Sequence, residues 1–166
     1  MGYAETGPAG GSAVILLHGW PYDIYSFVDV ASLLASAGYR VIVPYLRGYG
    51  TTRFLSSETF RNAQQSAVAL DIIALMDALK IQTATVAGFD WGARTADVMA
   101  TLWPERCKAI VSVVGYLISS PAGNQVPWPP GHLACATFKA DNPSNVGSVK
   151  SERIRSMPPR SSAATN

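Results

Sequence analysis

Charged side chains are scarce in this 166-residue chain: 13 Lys and Arg face 11 Asp and Glu, a net charge of +2. That balance excludes the broad single-sign field by which proteins hold nucleic acid or anionic membranes. No basic stripe or arginine-rich helix makes up for it, so neither partner is expected. Cysteine is almost absent. Cys107 and Cys135 show neither metal-type nor redox-type spacing, which leaves two reduced thiols and points to the cytoplasm. No apolar run reaches bilayer-spanning length. The opening "MGYAETGPAGG" lacks the apolar stretch of a secretory signal. Met1-Gly2 with Thr6 fits the short myristoylation pattern, but no polybasic cluster supports it. Neither a cofactor nor a metal is expected.

What is present is apolar: 48% of the residues, enough for one hydrophobic core but not for two domains. "AVILL" (residues 13–17), "YRVIVPYL" (39–46), "TATVAGF" (83–89) and "CKAIVSVVGYL" (107–117) are continuous apolar runs. Strands buried on both faces read in this way, as in parallel sheets. Helical patterns lie between them. Residues 59–80 carry Val68, Ile72, Leu75, Met76 and Leu79 on one stripe after the candidate N-caps Ser56 and Ser57. Residues 91–103 form a second helix stopped by Pro104, and residues 27–37 a third ended by Gly38. The alternation predicts an α/β fold: a mostly parallel sheet of about four strands with flanking helices.

The pattern breaks near Ile118. Residues 119–166 are rich in Pro, Ser, Asn and Gly and keep no period, so they are expected to be irregular or disordered beside a core of residues 1–118. A four-stranded sheet ending at residues 107–117 would leave an apolar edge. Homodimerisation through that edge, or docking of the tail over it, would cover it.

The stretch "GFDWG" (residues 88–92) places an acid between two glycines directly after an apolar run. A strand turning sharply into a helix strains the apex residue and needs small neighbours, here Gly88 and Gly92. The apex side chain, Asp90, then projects at a helix N-terminus, where backbone N–H groups favour an anion. This is the nucleophile-elbow pattern G-x-S-x-G with Asp in place of Ser. A carboxylate at that point attacks an electrophilic carbon and forms an ester that water must cleave. The competing reading of five such residues is an ordinary N-cap Asp. "LLHGWP" (residues 16–21) follows the first strand, where a second anion-binding loop belongs. The backbone N–H of Trp20, with that of Trp91, would form an oxyanion hole. His18 reads as a structural loop residue bonded to the backbone.

"HGWP", "RGYG" (residues 47–50) and "GFDWGAR" occur in the order and at the spacing of α/β-hydrolases, and the Asp-Trp-Gly elbow resembles the epoxide hydrolase and haloalkane dehalogenase branch. The resemblance covers residues 3 to about 118. It implies that Asp90 is the nucleophile, that Trp20 and Trp91 supply oxyanion N–H groups, and that the Trp91 indole binds a leaving halide or lines the pocket. It implies a small apolar electrophile as substrate. Leu46 departs from the pattern, since many relatives carry Asp before the Arg-Gly-x-Gly turn. Arg47 reads as a structural ion-pair donor. The resemblance also implies a cap domain, two cap tyrosines and a late His base, whereas no Tyr follows Tyr116 and the one remaining His is His132, in a Pro-rich setting. His132 is a candidate base without a supporting motif. Three functional readings follow: an epoxide or carbon–halogen hydrolase acting through an alkyl-enzyme ester, a non-catalytic fragment with a binding pocket, or an ester or lactone hydrolase.

Overall fold

The structure, a computed structural model, describes residues 1–115 and 135–139. Six strands form one sheet: β1 (Tyr3–Thr6), β2 (Ala13–Leu17), β3 (Arg40–Pro44), β4 (Ala84–Phe89), β5 (Cys107–Val113) and β6 (Cys135–Lys139). Their spatial order is β1-β3-β2-β4-β5-β6. The four apolar runs of the sequence are the four parallel strands β3, β2, β4 and β5. Antiparallel β1 and β6 close the two sides. The helices are α1 (Val28–Ser36), α2 (Gln65–Ala78) and α3 (Trp91–Leu102), with short 3-10 turns at Ile24–Phe27 and Pro104–Arg106.

Period-two alternation sorts each run onto two faces. Ile15, Leu17, Ile42 and Val86 pack with Ile72 and Met76 of α2 and Met99 of α3. Val14, Leu16, Val41 and Val43 pack on the other side with Phe27 and with Ala31 of α1. The result is a sheet covered by helices on both faces, which is why these strands contain so few polar residues. No helix among the described residues is long and apolar enough to cross a membrane.

Two expectations are corrected. The stripe of α2 is as read, with Val68, Ile72, Leu75 and Met76 all buried, but the helix starts at Gln65 and not at residue 59. Ser56 is no N-cap. Its hydroxyl accepts from the Glu58 N–H at 3.1 Å in a local turn, and Asn62 Oδ1 accepts from the Gln64 N–H at 2.8 Å. Side chains of these types offer the backbone an alternative to helix, and here the alternative wins. The second correction concerns the segment expected to be irregular, residues 119–166. It contributes β6, whose Cys135–Lys139 backbone pairs with β5 from Val113 to Ala109. The β5 edge expected to be open is therefore paired.

Candidate active site at the strand-to-helix bend

β4 ends at Phe89 and α3 begins at Trp91, so the whole reversal from strand to helix falls on Asp90. Its backbone sits at φ 51°, ψ −117°, a region that side-chain-bearing residues rarely adopt. Contacts on both sides hold it there. The Asp90 N–H donates to the Val113 carbonyl at 3.0 Å, and the Asp90 carbonyl accepts from the Arg94 N–H at 3.1 Å. The bend also requires the two glycines. A Cβ on Gly88 would lie 2.5 Å from the Gly92 carbonyl carbon, and one on Gly92 would run into the Leu17 carbonyl oxygen.

The half-buried Asp90 side chain meets the loop after β2. The Trp20 N–H donates to Asp90 Oδ1 at 3.0 Å, so this backbone group does face the carboxylate. Trp91 is the first residue of α3, where an N–H has no intrahelical acceptor. The Arg94 guanidinium lies over the Trp91 indole, 5.5 Å from the ring centroid. Gly19, which sequence reasoning passed over, matters as much as the elbow glycines. A Cβ there would sit 2.6 Å from Asp90 Cβ and 2.9 Å from Oδ1. Only the spatial approach of two segments 71 positions apart reveals it, as the Asp90–Gly19 contact has no local signature.

His18 is wholly buried. Its Nε2 accepts from the Leu46 N–H at 3.2 Å, which leaves the proton on Nδ1 to donate to the Gly19 carbonyl at 3.2 Å. Burial pushes its pKa down, so it remains a neutral brace between the two loops. Leu46, the departure from the family pattern, keeps its amide in this contact and buries its side chain in the core. The Tyr49 ring meets the His18 imidazole edge-on at 4.7 Å between centroids. Burial, and then the Asp90 charge, push the Tyr49 phenol upward.

Arg47 is an ion-pair donor of the kind expected. Its Nε and Nη2 hold both oxygens of Asp71 at 2.8 Å, while Nη1 donates to the Asn62 carbonyl at 2.7 Å. Trp20 and Tyr22 form an exposed aromatic rim beside the bend, with Tyr22 edge-on to Phe89 at 5.9 Å. His132 lies outside the described residues, so the structure places it neither near Asp90 nor away from it. Among the described residues no group of His, Cys, Asp and Glu could hold a metal ion.

The chain is similar to known proteins. A family model for the α/β hydrolase fold matches residues 12–153. The chain is 39% identical over 100 residues to an epoxide hydrolase of Caballeronia sordidicola, covering 60% of this chain and 30% of that one. It is 38% identical over 113 residues to epoxide hydrolase 3 of Siraitia grosvenorii, covering 68% of this chain and 35% of the other. Among solved structures, a candidate epoxide hydrolase of Klebsiella pneumoniae superposes with a TM-score of 0.69 at 66% identity, over 77% of this chain and 42% of that one. The chain thus spans about a third of the length of the curated relatives it matches. With a mostly parallel sheet, a strained bend after β4 and a matching family model over most of its length, the chain belongs to the α/β-hydrolase fold family.

Proposed function

We propose that Asp90 is a carbon-directed nucleophile and that the chain carries the alkyl-transfer half of an epoxide or haloalkane hydrolysis. The observation that carries this reading is the pairing of the strained Asp90 backbone with the Trp20 N–H on Oδ1. Oδ1 is occupied, so Oδ2 attacks. With an epoxide, the new Oδ2–C bond forms as the ring C–O bond breaks, and the electron pair leaves on the ring oxygen, which then takes a proton from solvent water. With a haloalkane, the pair leaves as halide toward the Trp91 indole. Either way an ester joins Asp90 to the substrate carbon. Water attack on that ester places negative charge on Oδ1, where the Trp20 N–H already points and the Trp91 N–H would join it.

That second step needs a base to take the water proton. His132 is proposed for it on one ground: β6 begins three residues later, at Cys135, opposite the Val113 whose carbonyl binds the Asp90 N–H. The second reading is a non-catalytic chain of this fold with at most a binding pocket.

Intact-mass and peptide mass spectrometry after incubation with styrene oxide or a bromoalkane separates the readings. The expected result is one covalent equivalent on the Asp90 peptide, absent from Asp90→Asn. Cys107 will not confuse the assignment, because burial raises its thiol to about 11. A folded chain that acquires no adduct on Asp90 would end the nucleophile assignment. Turnover lost in His132→Ala, with the adduct then accumulating, would support the base.

A further inference from the structure

The end of the sheet opposite Asp90 carries a cavity of about 270 Å³ that the hydrolytic reading does not use. It opens where β2, β4 and β5 begin. Ser12, Gln82 and Thr83 contribute polar groups to its wall, and Arg40, Lys80 and Lys108 bring three cationic side chains to it. None of its lining residues is acidic. Glu5 engages Arg40 through Nε alone, at 2.7 Å, so the other guanidinium N–H groups keep their capacity to donate. Neither Lys80 nor Lys108 has an ion-pair partner among the described residues.

The backbone beneath these cations is braced. Arg106 donates through Nε to the Gln82 carbonyl at 2.9 Å, and through Nη2 to the Ile81 carbonyl at 3.1 Å and to Asp77 at 2.7 Å. That clamps the loop carrying Lys80, itself in the left-handed region at φ 57°. The Arg40 N–H donates to the Ser12 carbonyl at 3.1 Å. A Cβ on Gly11 would sit 2.8 Å from the Arg40 nitrogen, so the preceding turn closes tightly on that strand. A lysine after α2 complements the negative end of the helix, which accounts for Lys80. It does not account for Lys108, near the start of β5 on a separate element. Like charges gathered on one concave wall repel each other, and an anion between them removes the repulsion.

The geometry points to a second binding site here, for a small polyvalent oxyanion: a phosphate group, free or as the monoester of a small molecule. Size favours this class. Pockets for drug-sized ligands begin at roughly 300 Å³, while a water occupies about 30 Å³ of liquid, so phosphate with its hydration fits and a dinucleotide does not. The six residues of β4 put the cavity about 20 Å from Asp90 at ~3.3 Å per residue, so this inference stands apart from the nucleophile assignment.

The test is an amide NMR titration of the full chain with inorganic phosphate and, separately, glycerol 3-phosphate, with sodium chloride holding the ionic strength constant. Saturable shifts are expected at Ser12, Ala13, Gln82 and Thr83, with Trp20 and Asp90 unmoved. Loss of two lining charges in Lys80→Gln/Lys108→Gln should weaken binding about tenfold or more. The spectrum of that variant reports its own folding, and Lys108→Arg should keep the affinity. Saturation by both anions assigns a phosphate-group site, and saturation by inorganic phosphate alone assigns a free-ion site. Shifts that stay linear with concentration, or that persist unchanged in the double variant, would overturn the proposal.

Discussion

Asp90 and Asp97 lie two helical turns apart, and their surroundings suit them to different work. Asp90 is half-buried at the start of α3 with a backbone donor on one oxygen. Asp97 is buried between α3 and β5, where the Ser112 hydroxyl donates to Oδ2 at 3.1 Å and Oδ1 has no hydrogen-bond partner among the described residues. Burial pushes the Asp97 carboxyl above its ordinary value of 3.8, against the opposing pull of Ser112. A carboxyl that holds its proton more tightly when folded contributes stability that is complete below the unfolded value. That contribution is lost as pH rises through the folded one. Asp97→Asn keeps an acceptor for Ser112 and removes the ionisation. Its stability relative to wild type should rise as the pH is raised above about 4, read as urea midpoints. A difference that did not vary with pH would contradict this account. Gly92→Ala tests the bend from its other side. The added methyl meets the Leu17 carbonyl, and overpacking of this kind costs roughly 1–3 kcal/mol, measurable by the same denaturation.

At the scale of elements, the loop between β3 and α2 is organised by one side chain. Arg47 joins the turn after β3 to both Asp71 oxygens on α2 and to the carbonyls of Asn62 and Ala67. Hydrogen bonding and the carboxylate charge hold its guanidinium in the charged form. This clamp takes up the Asn62 carbonyl just ahead of the helix and the Ala67 carbonyl in its first turn. Arg47→Lys retains the charge but not the fork. It should cost about 1–3 kcal/mol and increase amide exchange in the first turn of α2, whereas exchange confined to residues 51–58 would show the clamp to be incidental. The brace made by His18 works in the same way between the loops after β2 and β3. Because its ring is buried and its Nε2 lone pair is taken by the Leu46 N–H, it cannot serve as the base that activates water.

Across the whole molecule, β6 changes what the sheet exposes. A sheet ending at β5 would offer a long, apolar, hydrogen-bonding edge, the situation that favours association between copies. Antiparallel pairing from Val113 to Ala109 satisfies that edge within one chain. Sedimentation velocity at micromolar concentration should therefore give a monomer. A dimer would direct attention to the outer edges of β1 and β6 instead. Beside the bend, Trp20 and Tyr22 are exposed among the described residues.

The four parallel strands, the three helices and the apex position of Asp90 were all legible in the residue order. Each rests on local physics: two-sided burial makes continuous apolar runs, a buried stripe makes a helical period, and a cramped bend demands glycines. The start of α2 was not legible, because Ser56, Asn62 and Arg47 settle it through side chains whose partners lie elsewhere. β6 was hidden for a similar reason. A strand in a Pro- and Ser-rich segment shows itself only when a neighbouring edge offers it hydrogen bonds. The same holds for Gly19 against Asp90 and for the cationic cavity at the far end of the sheet, whose lining residues come from four separate stretches of chain. Sequence alone determined which residues could act. Tertiary structure decided which of them meet, since proximity across the sheet is a property of packing and not of order along the chain.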